Sequence, residues 1–248
     1  MPLRLLVVVT LLGVLAACGD DDPAPTEPTP TEQDTSAAQP PVVLVPGLGG
    51  SPTDMALIAN ALEDDGRTTV TVDNQGGTAD LREQAALVDE AVRGTGAEEV
   101  DVVGFSAGGI VARLWATGDG ADAVRRLVTI GAPHHGTTLE ALEVSDPADC
   151  TDACAQLLAG SDLLEELDAT GVPADADWVS IWSDSDGVVD PAESARLDGA
   201  LDVNVQAVCG DLELRHLDLL GHPVPDLVAA VLDGEEAVVP DASACDAG

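Results

Sequence analysis

The chain reads as an α/β protein, a compact and mostly parallel central sheet of about six strands flanked by helices. Three observations predict this. Short runs of valine, leucine and isoleucine alternate with segments of helical apolar spacing. The first run, Pro41-Val42-Val43-Leu44-Val45, is apolar throughout, as in strands buried on both faces. Glycine-rich turns follow strand-like runs at Gly47–Gly50, Gly104–Gly109 and Gly131–Gly136.

The elements follow in order. The Pro41–Val45 strand leads into Pro46-Gly47-Leu48-Gly49-Gly50, and Ser51 or Thr53 can cap a helix over Asp54–Glu63 with apolar residues at Met55, Ile58, Ala59 and Leu62. Thr68–Val72 predicts a second strand, and Thr78–Val92 an amphipathic helix. Val100–Phe105 predicts a strand that stops at Ser106, with a helix over Ala107–Ala116. Further strands are expected at Arg126–Ile130, Val179–Trp182 and Val203–Val208, with helices at Leu157–Leu167 and Val224–Leu232. The stretch from His134 to Asp177 predicts loops and a helix above the sheet edge.

Charge narrows the partners. Aspartate and glutamate total 46 against 9 basic residues, all arginine, for a net charge of −37. Such a surface cannot neutralise phosphates, so nucleic acid is excluded as a partner. It is not drawn to anionic lipid headgroups either. A solvated acidic surface accounts for the excess; adaptation to high salt, where screening relieves self-repulsion, is a second reading.

The N-terminus reads as an export signal. Met1–Arg4 is short and basic, Leu5–Leu15 is apolar but too short to span a bilayer, and small residues precede Cys18. Residues 1–17 are therefore expected to be a signal peptide. The ending Leu15-Ala16-Ala17-Cys18 resembles a bacterial lipobox, which implies cleavage before Cys18 and its acylation. Residues 18–40 are acidic and rich in proline and threonine, and predict a disordered tether. The catalytic domain is expected over 41–248, exported to the outer face of the cell membrane as a lipoprotein or secreted, with the N-terminal lipid its one membrane contact. A monomer is expected.

If Cys18 is lipidated, Cys150, Cys154, Cys209 and Cys245 remain. An even number in an oxidising compartment suggests two disulfides, with three connectivities open. Cys150 and Cys154 lie close enough to bridge across a loop or helix turn, and Cys209 and Cys245 would then tie the tail to the last strand. The spacing is not that of a zinc site.

The chemistry centres on Gly104-Phe105-Ser106-Ala107-Gly108. A serine between a buried strand and a helix sits on a tight turn with its hydroxyl exposed, the geometry of a nucleophile elbow. It needs a base and a place for negative charge. The N–H groups of Leu48 and Ala107 can form an oxyanion hole. A phosphate-binding turn at Gly47–Gly50 is disfavoured, because the chain has no lysine. In this fold the order is serine, acid, histidine. His134 and His135 come too early and are expected to line the site or cap a turn. His216 follows the last predicted strand and is favoured over His222. The acid should follow the Val179–Trp182 strand, where Asp186 is favoured over Asp184 and Asp190. No regular ligand spacing makes those three a calcium site.

Five segments in this order resemble the small secreted bacterial lipases of the α/β-hydrolase fold, the class 2 triacylglycerol lipases. They are Val45–Gly50, Gly104–Gly109, Gly131–Thr137, Ser185–Val189 and Arg215–Leu220. The resemblance spans roughly Pro41 to Leu232. It implies hydrolysis of an acyl ester or lipid without a cofactor, with Ser106, Asp186 and His216 as the triad and Leu48 and Ala107 as oxyanion donors. Pro46 stands where the family's turn begins with histidine, Phe105 where histidine is common, and Ala107 where a larger residue is common. Two alternatives stand beside an esterase: another acyl hydrolase such as a thioesterase or amidase, or a non-catalytic surface lipoprotein that binds lipid or a partner.

Overall fold

The computed structural model describes residues 39–246. The leader, Cys18 and nearly all of the tether lie outside the described residues.

Six strands form one all-parallel sheet: β1 (Val42–Val45), β2 (Thr69–Thr71), β3 (Val100–Phe105), β4 (Val124–Ile130), β5 (Asp177–Trp182) and β6 (Leu201–Asn204). Their order is β2-β1-β3-β4-β5-β6. The chain moves from β1 outward to β2 and then crosses back to β3, which pairs with β1 from Val42↔Asp101 to Val45↔Gly104. The loops leaving β1 and β3 therefore open a crevice between them, the place where such sheets hold ligands.

Seven helices cover the sheet: α1 (Ala56–Asp64), α2 (Leu81–Thr95), α3 (Ala107–Ala116), α4 (Asp152–Gln156), α5 (Asp162–Thr170), α6 (Val205–Cys209) and α7 (Val224–Leu232). Side chains alternate across the sheet. Val43 and Val45 pack with Leu81, Val88 and Ile110 beneath α2 and α3. Val42 and Leu44 pack with Ile58, Leu62 and Val228 beneath α1 and α7. Two covered faces explain why the strands read as continuous apolar runs.

Caps move several predicted boundaries. Asp80 accepts the Arg82 N–H, so α2 begins at Leu81 rather than Thr78. It runs on to Thr95, where Gly96 ends it in the left-handed region. The helix expected over Leu157–Leu167 forms only from Asp162, as α5, which runs on to Thr170. α4 ends at Gln156, Thr137 pairs with Leu158 in an isolated bridge, and Ser161 caps α5. The strand expected over Val203–Val208 is overturned beyond Asn204. Asn204 Oδ1 accepts the Ala207 N–H at 2.8 Å and starts α6, so β-branched Val205 and Val208 face one side of a helical turn.

Cys150 is bonded to Cys154, and Cys209 to Cys245. Cys209 is the last residue of α6, not part of the last strand. Among the described residues no helix is long and apolar enough to cross a membrane.

Candidate active site

Ser106 stands between β3 and α3 with φ 54° and ψ −127°. A non-glycine residue there costs about 1–3 kcal/mol, so its surroundings must hold it. Its N–H donates to Ile130 O at 2.8 Å, and its carbonyl accepts the Gly109 N–H. The flanking glycines allow the turn. A Cβ on Gly104 would lie 2.5 Å from Gly108 O, and one on Gly108 would lie 2.2 Å from Val45 O. Both positions leave no space for alanine.

The loop after β5 supplies Asp186, which is buried. Its Oδ1 accepts the N–H groups of Val188 at 2.9 Å and Val189 at 2.7 Å. The segment after α6 supplies His216, whose backbone N–H donates to Asp186 O at 2.9 Å. His216 Nδ1 lies 2.9 and 2.8 Å from the two Asp186 carboxylate oxygens. A carboxylate only accepts, so Nδ1 carries the proton and donates it. That leaves Nε2 as an acceptor, 2.8 Å from Ser106 Oγ. The Phe105 ring packs against the imidazole with centroids 4.8 Å apart.

The other acidic and imidazole groups lie elsewhere. Asp184 is exposed and accepts from Asn204, and Asp190 is exposed with its N–H on Thr137. His222 meets Asp226 at the surface. His134 does not line the cleft as expected: it is fully buried, with Nε2 3.0 Å from Thr129 Oγ1. Desolvation, reinforced by Arg113 and His135, pushes its imidazole well below the usual range, so it is neutral. His135 is exposed and pairs with Asp168.

Leu48 lines a cleft of about 710 Å³ together with Ser106 and His216. Its turn abuts the serine: a Cβ on Gly47 would lie 2.9 Å from Ser106 Cβ. Among the described residues, the N–H groups of Leu48 and Ala107 donate to no other group.

Sequence reasoning passed over the supports of this site. Asn74 is buried, and its Nδ2 donates to Pro46 O and Gly47 O at 3.1 Å each, pinning the Leu48 turn. Thr137 Oγ1 donates to Val188 O at 2.6 Å and holds the Asp186 loop. Gly131 has φ +53°, and a Cβ there would lie 3.0 Å from Asp186 Oδ2 and 2.9 Å from Leu219 Cδ1. A glycine directly after a buried strand was the one available signal. Asn74 and Thr137 act across 27 and 51 residues of sequence and left none.

Comparison with known proteins agrees with this architecture. Residues 40–149 match a family model described as the alpha/beta hydrolase fold. Among curated proteins none matches the chain. Among solved structures, lipase B of Aspergillus fumigatus is similar at 21% identity and a TM-score of 0.72, over 80% of this chain and 54% of that one. This chain thus spans about half the length of that lipase. Lipase BlEst2 of Bacillus licheniformis in its mature form is similar at 21% identity and a TM-score of 0.60, over 74% and 87%. A gene product of Listeria innocua, lin2722, is similar at 15% identity and a TM-score of 0.60, over 81% and 98%. At these identities the likeness establishes the α/β-hydrolase fold.

Proposed function

We propose that this chain, an α/β hydrolase by fold, is a serine carboxylic-ester hydrolase with Ser106, His216 and Asp186 as its triad. The observation that carries the reading is the continuous chain of contacts from Ser106 Oγ through His216 to Asp186, set on a positive-φ elbow at the floor of the cleft.

The steps follow from that geometry. His216 Nε2 takes the Ser106 hydroxyl proton as Oγ bonds to the ester carbonyl carbon. The carbonyl oxygen becomes an oxyanion, stabilised by the N–H groups of Leu48 and Ala107. His216 returns the proton to the departing alcohol, leaving an acyl-serine. Water then attacks that ester, giving its proton to Nε2, and Ser106 leaves with the proton restored. Asp186 orients the imidazole and stabilises its cationic form without itself taking the proton.

The lipase reading draws support from the five ordered segments and from two solved lipases of similar fold. The proposed location is outside the cytoplasmic membrane, tethered through an acylated Cys18; the two disulfides are compatible with export. A non-catalytic lipoprotein would have no need to keep a serine, an imidazole and a carboxylate in hydrogen-bond register.

The test is hydrolysis of 4-nitrophenyl esters of graded acyl length by the wild type and Ser106→Ala, with thioester and anilide analogues alongside. The wild type is expected to cleave esters fastest, and the variant to lose about 10⁴-fold or more in kcat. Equal rates in the two proteins would sink the assignment. Faster thioester or anilide turnover would move it to another acyl hydrolase.

A further inference from the structure

Arginine is the chain's only cation besides histidine and the N-terminus, and almost all of it is committed. Eight of the nine arginines lie among the described residues. Seven reach a carboxylate within 4.0 Å: Arg67, Arg82, Arg93, Arg113, Arg125, Arg126 and Arg196. Among the described residues Arg215 alone reaches none, in a chain of net charge −37. It lines the cleft that holds Ser106, immediately before His216.

Its backbone is fixed on both sides. Ser183 Oγ donates to Leu214 O at 2.7 Å, and the His216 N–H is on Asp186 O. Of its acidic neighbours in sequence, Glu213 makes no ion pair with it, and Asp218 turns its carboxylate to the Arg215 N–H at 3.0 Å rather than to the guanidinium. Glu143 and Asp218, the two carboxylates on the cleft wall besides Asp186, make no ion pair with it. The five N–H donors of Arg215 therefore remain for a ligand in the cleft.

Resting on the Ser106 reading, we propose that the cleft prefers esters carrying an anionic group a few bonds from the scissile carbonyl, and that Arg215 binds that group. A guanidinium offers a planar fork that matches a carboxylate or phosphate in two parallel hydrogen bonds. A surface this acidic repels such a substrate, so among the described residues Arg215 marks the place where its charge is matched. Arg215 is a specificity-determining residue here and takes no part in the proton transfers.

Two matched substrate pairs test this at fixed ionic strength. One pair is 4-nitrophenyl hydrogen succinate against 4-nitrophenyl pentanoate. The other is 1-butanoylglycerol 3-phosphate against 1-butanoylglycerol. The readout is the anionic-to-neutral ratio of kcat/KM in the wild type, Arg215→Gln, Arg215→Lys and Arg93→Gln, the last removing an equal charge from an exposed face of α2. In at least one pair the ratio should fall about tenfold in Arg215→Gln, mainly through KM, and recover in part in Arg215→Lys. It should be unmoved in Arg93→Gln. The pair that responds says whether the group is a carboxylate or a phosphate. An unchanged ratio in both pairs, or an equal fall in Arg93→Gln, overturns the proposal. Absence of turnover on all four esters in the wild type would instead overturn the Ser106 reading beneath it.

Discussion

The two edges of the sheet each bury an aspartate, and each gives it a different partner. At the carboxyl edge, Asp186 faces an imidazole and two backbone N–H groups. At the amino edge, Asp101 of β3 is fully buried against Arg125, which donates from Nε at 2.8 Å and from Nη2 at 2.5 Å. Arg67 stands 3.5 Å from the same carboxylate. Arg125 and the adjacent Arg126 also collect carbonyls from Val231 to Glu235, fastening the chain after α7. Burial pushes the Asp101 carboxyl upward, and Arg125, Arg67 and Arg126 oppose that push. A guanidinium does not give up its proton, so the amino edge is a fixed charge lattice. An imidazole can take a proton on one nitrogen and give it back, so the carboxyl edge can do chemistry. The contrast separates a carboxylate used to hold from one used to orient.

Asp186→Asn tests that contrast most severely. The amide keeps an oxygen for the Val188 and Val189 N–H groups but presents the wrong partner to Nδ1. We expect kcat for ester hydrolysis to fall by about 10³- to 10⁴-fold with a native circular dichroism spectrum. A loss under tenfold would make Asp186 a structural residue like Asp101. Asp101→Ala probes the other edge. It leaves the half-buried Arg125 guanidinium without its carboxylate and the buried Arg67 with one fewer, so urea denaturation should show a loss of about 3 kcal/mol in stability. Activity well below the unfolding transition should stay near that of the wild type. A stable Asp101→Ala protein with impaired turnover would erase the distinction between the edges.

The smallest effect concerns His134, which is buried against Thr129 after β4 and is kept neutral by that burial. Its folded-state pKa lies below that of an ordinary imidazole. As pH falls below about 6.5, the unfolded chain takes up a proton that the folded chain refuses. Stability from this group is therefore complete above that pH and is lost as pH falls toward the folded pKa, by at most about 1.4 kcal/mol per unit. His134→Gln should flatten the fall in urea midpoint between pH 6.5 and 5. An unaltered slope would show that His134 takes up a proton in the folded state.

What the sequence disclosed depended on the range of the forces involved. The elbow was legible because Gly104 and Gly108 are demanded by contacts a few residues away, and because β3 and α3 flank them directly. His216 and Asp186 were legible from chain order. The α6 turn was not, since Val205 and Val208 favour a strand until Asn204 caps a helix ahead of them. The break between α4 and α5 depends on a bridge to Thr137, which a local pattern does not contain. Asn74 and Thr137 answer only to the folded neighbours they touch.

The Cys209–Cys245 bond has a topological consequence. It closes a covalent ring across a separation of 36 residues, and His216 lies inside that ring. Ser106 and Asp186 lie outside it, each on a loop leaving a strand of the sheet. The three groups are thus gathered from two separately constrained parts of the chain. The bond narrows the excursions open to the part that carries the base, while the nucleophile and the carboxylate are held by the sheet and by loop contacts such as that of Thr137. The bond therefore acts on the segment that carries the base and not on the sheet.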